Sequence, residues 1–473
     1  MTLKCKIILS DLHLGAGRRT EGNRADENRL EDFDSDDDFY ALLQALVTES
    51  ERTQSEMELI LAGDAFEFLQ VPALRDVASF DPTAPYAVSD YAPSSEAASA
   101  AKMALIIAGH TRFFAGLRAF ILAAPPYRRV TFIKGNHDVN LHWAEVQRLL
   151  RVALGANSGP RAACVTFEER RITREGIYVE HGHQYAERAN RFPDFEEPHD
   201  LARPEQLHLP SGSAFVLSFF NNLERQHYWM DGVKPITALI WYTFALDFGL
   251  AVRALYALLR ELPSLTWGNL PAEWGVSTYL ETHEQLVAEL EALDDAKRIQ
   301  ALERDLSGLR DFYRRAAYAL ALYGAPASSA ETPSAEGLRD YAVLPRALAE
   351  EKAQRAALAE VAAQKVAQEK VKVVVFGHTH EALQLPLEGG AVYLNCGTWT
   401  WVRDFHGEDY SAWKRLFKNP EQFTHARHLS YVRVDYDAQG QPSAQLLTYQ
   451  RAERQRKPLW PGLLRGWLGR RHG

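Results

Sequence analysis

Sulfur is scarce in this 473-residue chain: its three cysteines, Cys5, Cys164 and Cys396, stand far apart, and none forms a CxxC pair. That excludes a disulfide framework and a thiolate zinc finger, and it fits a reducing compartment. Positive charge is not in excess either. The net charge of −9 argues against a general nucleic-acid-binding surface, so no stable nucleic-acid partner is expected. Long apolar runs are nearly missing. Only residues 236–259 approach the length of a membrane span, and they include Asp247 and Arg253. Each such charge near a helix centre costs about 2.5–3.5 kcal/mol in a bilayer, so the run reads as a buried or interface-lying helix. The apolar run at the N-terminus is too short for a signal peptide and leads straight into a polar cluster. A cytoplasmic location is expected, with peripheral contact at the inner membrane surface as its extension.

Against these absences stand five short polar clusters, each following a run that reads as a buried β-strand. They are Asp11-Leu12-His13, Gly63-Asp64, Gly135-Asn136-His137-Asp138, His181-Gly182-His183 and Gly377-His378-Thr379-His380. Open sheets hold ligands at the carboxyl ends of their strands, so five such ends predict one shared site. Asp, Asn and His are oxygen and imidazole donors for divalent metals. A site with two ions needs a carboxylate that bridges them, and Asp64, alone after Gly63, is the natural bridge. Glycines beside the ligands would let the backbone turn tightly.

In this order the clusters resemble the calcineurin-like metallophosphoesterase superfamily, over about 270 residues flanking a long insertion. The resemblance implies an α/β fold, a four-layer α/β/β/α sandwich of two mixed sheets with a large helical insertion. It implies two divalent metal ions, Mn, Fe or Zn. Asp11, His13 and His380 would hold the first, Asn136, His181 and His378 the second, and Asp64 would bridge them. His137 would act as general acid or transition-state stabiliser, oriented by Asp138. The implied activity is hydrolysis of a phosphomonoester, phosphodiester or pyrophosphate by a hydroxide bridging the two ions. The second motif, Gly63-Asp64-Ala65-Phe66-Glu67, is similar to that of bacterial enzymes like UDP-2,3-diacylglucosamine pyrophosphatase, which points to a lipid-linked substrate. The chain departs from that branch in having His137 where it has Arg, and in the length of its insertion. A nuclease-like or cyclic-nucleotide phosphodiesterase is the alternative within the superfamily. A non-catalytic scaffold, binding a partner through the insertion, is the alternative outside it.

Organisation follows from the clusters. Residues 1–190 form the first part of the core, 191–370 a mostly helical insertion, 371–450 the second part and 451–473 a basic, Trp- and Leu-containing tail. Within the insertion, Leu286, Leu290, Leu293, Leu302, Leu306 and Leu309 recur at helical spacing. Its end, 344–370, is rich in Ala, Glu, Lys and Gln, as in a solvated helix. Residues 458–473 suit either an anionic membrane surface or packing on the protein's own core. Two loops, 15–38 and 71–99, are expected to border the site, and the acidic run within 31–38 reads as a solvated helix start. His183 could touch substrate or fix a neighbouring ligand. No chemistry is assigned to Asn395-Cys396-Gly397-Thr398, and the oligomeric state is not legible.

Overall fold

The computed structural model describes residues 4–18, 27–186, 188–234, eight positions between 239 and 251, 343–405, 408, 410–424 and 427–450. The leucine repeat at 286–309 and the tail at 451–473 lie outside the described residues. The described architecture is α/β, with two mixed sheets.

The first sheet contains β1 (Lys4–Leu9), β2 (Glu56–Ala62), β3 (Arg128–Ile133) and β4 (Val165–Glu168), all parallel. The second contains β5 (Arg171–Arg174) antiparallel to β6 (Ile177–Glu180). A short strand, β7 (Val233–Lys234), follows, and β8 (Val373–Phe376) returns to run parallel beside β6. β9 (Ala382–Pro386) and β10 (Val392–Cys396) complete the second sheet in the order β5-β6-β8-β10-β9. β11 (Arg403–Asp404) pairs with β7, while β12 (Ser430–Tyr436) and β13 (Pro442–Thr448) extend the first sheet beyond β1.

Strand periodicity decides the packing. Alternate residues point to opposite faces, so strands buried on both sides read as continuous apolar runs. Ile8, Ile60, Ala62 and Ile133 of the first sheet share one core with Ile177, Val179, Val373, Val375 and Leu394 of the second. Their neighbours Ile7, Leu9, Leu59, Leu61 and Phe132 face the other way. There they meet Phe39, Leu43, Met103, Phe113 and Leu117 from helices Asp36–Thr53, Glu96–Gly109 and Thr111–Leu122. On the outer face of the second sheet, Tyr178, Val374, Phe376 and Tyr393 pack on Leu358 and Ala362 of helix Val343–Glu369. Each fully buried Ile, Leu, Val or Phe contributes about 1.5–3 kcal/mol.

That last contact corrects the solvated reading of 344–370. A narrow stripe of small and branched residues at i, i+4 spacing suffices to seat a helix, although its composition is mostly polar.

Among the described residues no single helix is long and apolar enough to cross a membrane. The helices Glu96–Gly109 and Thr111–Leu122 together have the composition, but they bend by 89° and pack on the sheet. In the 236–259 run, Leu239, Tyr242, Leu250 and Ala251 are buried, and Tyr242 stacks on Trp413 with ring centroids 4.4 Å apart.

Candidate metal centre

In-register pairs such as Leu9–Leu61 and Ala62–Ile133 bring the carboxyl ends of β1, β2 and β3 level. The pair Val179–Val375 does the same for β6 and β8. The five clusters therefore leave their sheets at one edge. Backbone hydrogen bonds then tie the loops together. Leu12 and His13 amides donate to the Asp64 carbonyl (2.9 and 3.0 Å), and Gly377 donates to that of His181 (2.9 Å).

The backbone at these loops is strained. Eight non-glycine residues among those described lie in the left-handed region, and five of them are Asp11 (φ 53°), His13 (51°), Asp64 (49°), His378 (71°) and His380 (61°). Non-glycine residues are held there at a cost of order 1–3 kcal/mol each, and such residues cluster at functional sites. The glycines divide into two kinds. Gly63 has φ 89°, as a tight turn requires. Gly135 and Gly377 serve close approach: a Cβ on them would stand 2.2 Å from Asp64 Oδ1 and 2.5 Å from Asp11 Oδ2.

The side chains gather as two trios. Asp11, His13 and His380 each offer a ligand atom within 4.8 Å of the others, and so do Asp64, His181 and His378. Asn136 joins the second trio, its Oδ1 being 3.1 Å from His181 Nε2. Asp64 Oδ2 stands 3.0 Å from the same nitrogen. The Nδ1 of His181 lies 3.1 Å from the Ala62 carbonyl, to which it can only donate. Nε2 then faces two oxygen acceptors. Burial lowers the proton affinity of His181, but the surrounding carboxylates lift it to about 9, so that without a metal a proton fills this position, and a cation would take the proton's place. In the first trio, His13 Nδ1 is 2.9 Å from Glu67 Oε2, and its Nε2 faces His380 Nε2 at 3.0 Å. Two nitrogens about 2.1 Å from one ion stand roughly 3 Å apart at a right angle, so this donor set fits a divalent ion.

Electrostatics agree with that fit. Burial would raise the Asp64 carboxyl, but the imidazoles of His181 and His137 outweigh it and hold Asp64 ionised. Burial, together with the charge on Asp64, pushes Asp138 up to about 7. Burial and the neighbouring His13 keep His380 neutral, as a ligand must be. Carboxylates and imidazoles are thus crowded into one buried place.

Two residues have surroundings the sequence did not show. Glu67, quoted in the second motif without a role, accepts from His137 Nδ1 (2.6 Å) and faces His13 Nδ1 with the same oxygen. Its second oxygen accepts from the Leu69 amide (3.0 Å). Burial favours protonation of Glu67, yet His137 and His13 bring it down to about 2. The expected orienter of His137, Asp138, is otherwise engaged. Its oxygens accept from the amides of Gly135 (2.6 Å), Ala65 (2.8 Å) and Phe66 (3.4 Å). Asp138 therefore shapes the loop that carries His137, and Glu67 holds the ring.

His183 is buried against Phe195, with ring centroids 4.4 Å apart, and neither ring nitrogen has a hydrogen-bond partner. It wedges behind His181 and His378, at 5.4 and 6.1 Å between centroids. The segment after β10, given no chemistry above, braces the site. Asn395 Nδ2 donates to the Gly377 carbonyl (2.7 Å), and Thr398 Oγ1 to that of Asp11 (2.6 Å).

The clusters open on a cavity of about 130 Å³, lined by His13, Asp64, Asn136, His137, His378 and His380, and also by Asp32 and Asp231. A larger hollow of about 780 Å³, between β9 and β13, has neither acid nor imidazole in its lining. Loop 71–99 contributes nothing to the smaller cavity's lining; loop 15–38 contributes Asp32. The acidic run is divided accordingly. Asp36, Asp37 and Asp38 open a helix as expected, whereas Glu31 is buried, accepting from the Gly15 and Gly17 amides and pairing with His110. No family model matches this chain, and no curated protein matches it.

Proposed function

We propose that this chain is a dimetal phosphoesterase of the calcineurin-like type, hydrolysing a phosphomonoester, phosphodiester or pyrophosphate. The observation that carries the reading is the meeting of seven side chains, from the ends of five strands, as two trios and Asn136 beside one cavity. The stacking of helices, two sheets and a helix supports the four-layer sandwich that such an enzyme would have.

Asp11, His13 and His380 would hold one divalent ion, Asn136, His181 and His378 another, with Asp64 shared. Two such ions supply an activated water near neutral pH and offset charge on the phosphoryl oxygens. The chain supplies the rest. His137 has Nδ1 committed to Glu67, which leaves Nε2 to serve the leaving oxygen. Burial lowers its proton affinity, but Glu67 and Asp64 lift it to about 10, so the ring carries the proton a leaving alkoxide needs. General-acid help of this kind is worth typically 10²–10⁴-fold. Glu67 holds His13 and His137 at a fixed mutual angle, their ring planes 84° apart. Buried Asp138 and Thr398 keep the loops from relaxing around them.

The test is a hydrolysis screen with Mn²⁺ across aryl monoesters, bis-aryl diesters, nucleotide sugars and phospholipids. Metal-dependent release of phosphate or alcohol from one class, lost in Asp64→Asn, is the expected result. Turnover that survives both chelation and Asp64→Asn would sink the reading.

A further inference from the structure

A second group of carboxylates adjoins the same cavity, and two of its three members, Asp32 and Asp231, line it. Asp32, Glu224 and Asp231 each place an oxygen within 4.8 Å of the others. They come from three separate pieces of chain, each pinned independently. Asp32 follows Glu31, whose carboxylate is held by the Gly15 and Gly17 amides and by His110. Glu224 lies on the short helix Asn221–Gln226, which Asn221 Nδ2 ties to the Leu69 carbonyl (2.9 Å). Asp231 precedes Gly232, whose carbonyl accepts from the Arg403 amide (2.8 Å) and where a Cβ would strike Trp401 at 2.2 Å.

Two oxygens of this trio are buried without a hydrogen-bond partner, Glu224 Oε1 and Asp231 Oδ1. Glu224 is 0% exposed, and its other oxygen accepts from Gln70 Nε2. Asp231 shares a hydrogen bond with Asp32 and accepts from the Gly232 amide, and Lys234 acts on it as a cation. Burying an uncompensated carboxylate such as Glu224 costs several kcal/mol, and the half-buried Asp32 and Asp231 beside it add to that cost unless protons or a cation intervene. An oxygen-only donor set with no imidazole selects hard ions.

We propose that Asp32, Glu224 and Asp231 form a third cation site, suited to Mg²⁺, Mn²⁺ or Ca²⁺, beside the imidazole-rich strand-end cluster. It stands on its own residues and does not need the phosphoesterase reading. The ion would offset most of the trio's negative charge beside the cavity that Asp32 and Asp231 line.

The test is metal content, read without turnover. Full-length protein is stripped with chelator, dialysed against Mn²⁺ and analysed for bound ion per chain, with circular dichroism as the folding check. Wild type should hold one ion per chain more than Glu224→Gln, and Asp231→Asn should show the same deficit. Equal content in wild type and both variants overturns the proposal, since the trio then shares protons instead. If Asp64→Asn leaves the content unchanged while Glu224→Gln lowers it, the third site stands and the dimetal reading falls. Melting gives a second measurement. In chelator the amide variants should melt at or above wild type, and Mg²⁺ should raise wild type alone; equal Mg²⁺ shifts would overturn the site.

Discussion

The strand-end cluster and the acidic trio both contribute residues to one cavity, yet they differ in what holds their ligands. Asp11, Asp64, Asn136, His181 and His378 hang from parallel strands whose register is fixed over three to six paired residues. Shifting such a strand by one residue would turn its apolar side chains out of the core, so the ligand positions are set by the hydrophobic pattern itself. Asp32, Glu224 and Asp231 instead sit in a loop, a six-residue helix and a turn, each held by a few polar contacts. The first cluster is as rigid as the core, while the second is only as rigid as its ties.

Four outcomes would break or sharpen that contrast. Asp64→Asn removes the shared carboxylate, worth several kcal/mol of transition-state stabilisation. Turnover should fall by about 10³-fold or more while the melting temperature stays near wild type. A comparable fall from a residue remote from all five strand ends would break the comparison. His137→Ala should cost about 10²-fold on an alkyl phosphoester and much less on a nitrophenyl ester, whose leaving group needs no proton. Equal losses on both would remove His137 as the acid. Glu67→Gln should loosen His13 and His137 together, lowering Mn²⁺ affinity about 10–100-fold in equilibrium dialysis, as loss of a ligand's hydrogen-bond partner does.

The fourth outcome concerns the loop-built side and its response to pH. Burial lowers the proton affinity of His110, but Glu31 and Asp36 raise its pKa from 6.5 to about 10. The folded protein thus keeps a proton that the unfolded chain releases near 6.5. This pairing stabilises fully below that pH, and its contribution is lost as pH rises toward about 10. Because Glu31 anchors the loop bearing Asp32, tryptic cleavage at Arg18 or Arg29 should appear between these limits. Amide protection in β1, β2 and β3 should persist. Simultaneous loss of both would show the two clusters to be one cooperative unit.

The uneven rigidity also explains what could be read beforehand. A strand of four to seven apolar residues ending in Asp or His is a local signal, and β1, β2, β3, β6 and β8 all carried it. β9 did not, because its residues alternate between exposed and half-buried at a sheet edge and its short run ALQLP is broken by Gln384 and ends in proline. Glu67 was visible in its motif but not as the partner of two imidazoles 54 and 70 residues away in sequence. Asp32 was read with its acidic neighbours as solvated. Nothing in a single-sign run tells which member will be buried.

Sequence alone brought out the five polar clusters, their grouping after strands and the α/β class, because apolar periodicity and cluster composition are properties of short stretches; the choice of seven candidate ligands among them followed from the resemblance. Tertiary structure alone decided that Glu67 rather than Asp138 holds His137, that Asn395 and Thr398 brace the loops, and that three distant carboxylates come together. Those contacts join residues separated by dozens to hundreds of positions. Each depends on where packing brings two elements together, and no local pattern encodes that.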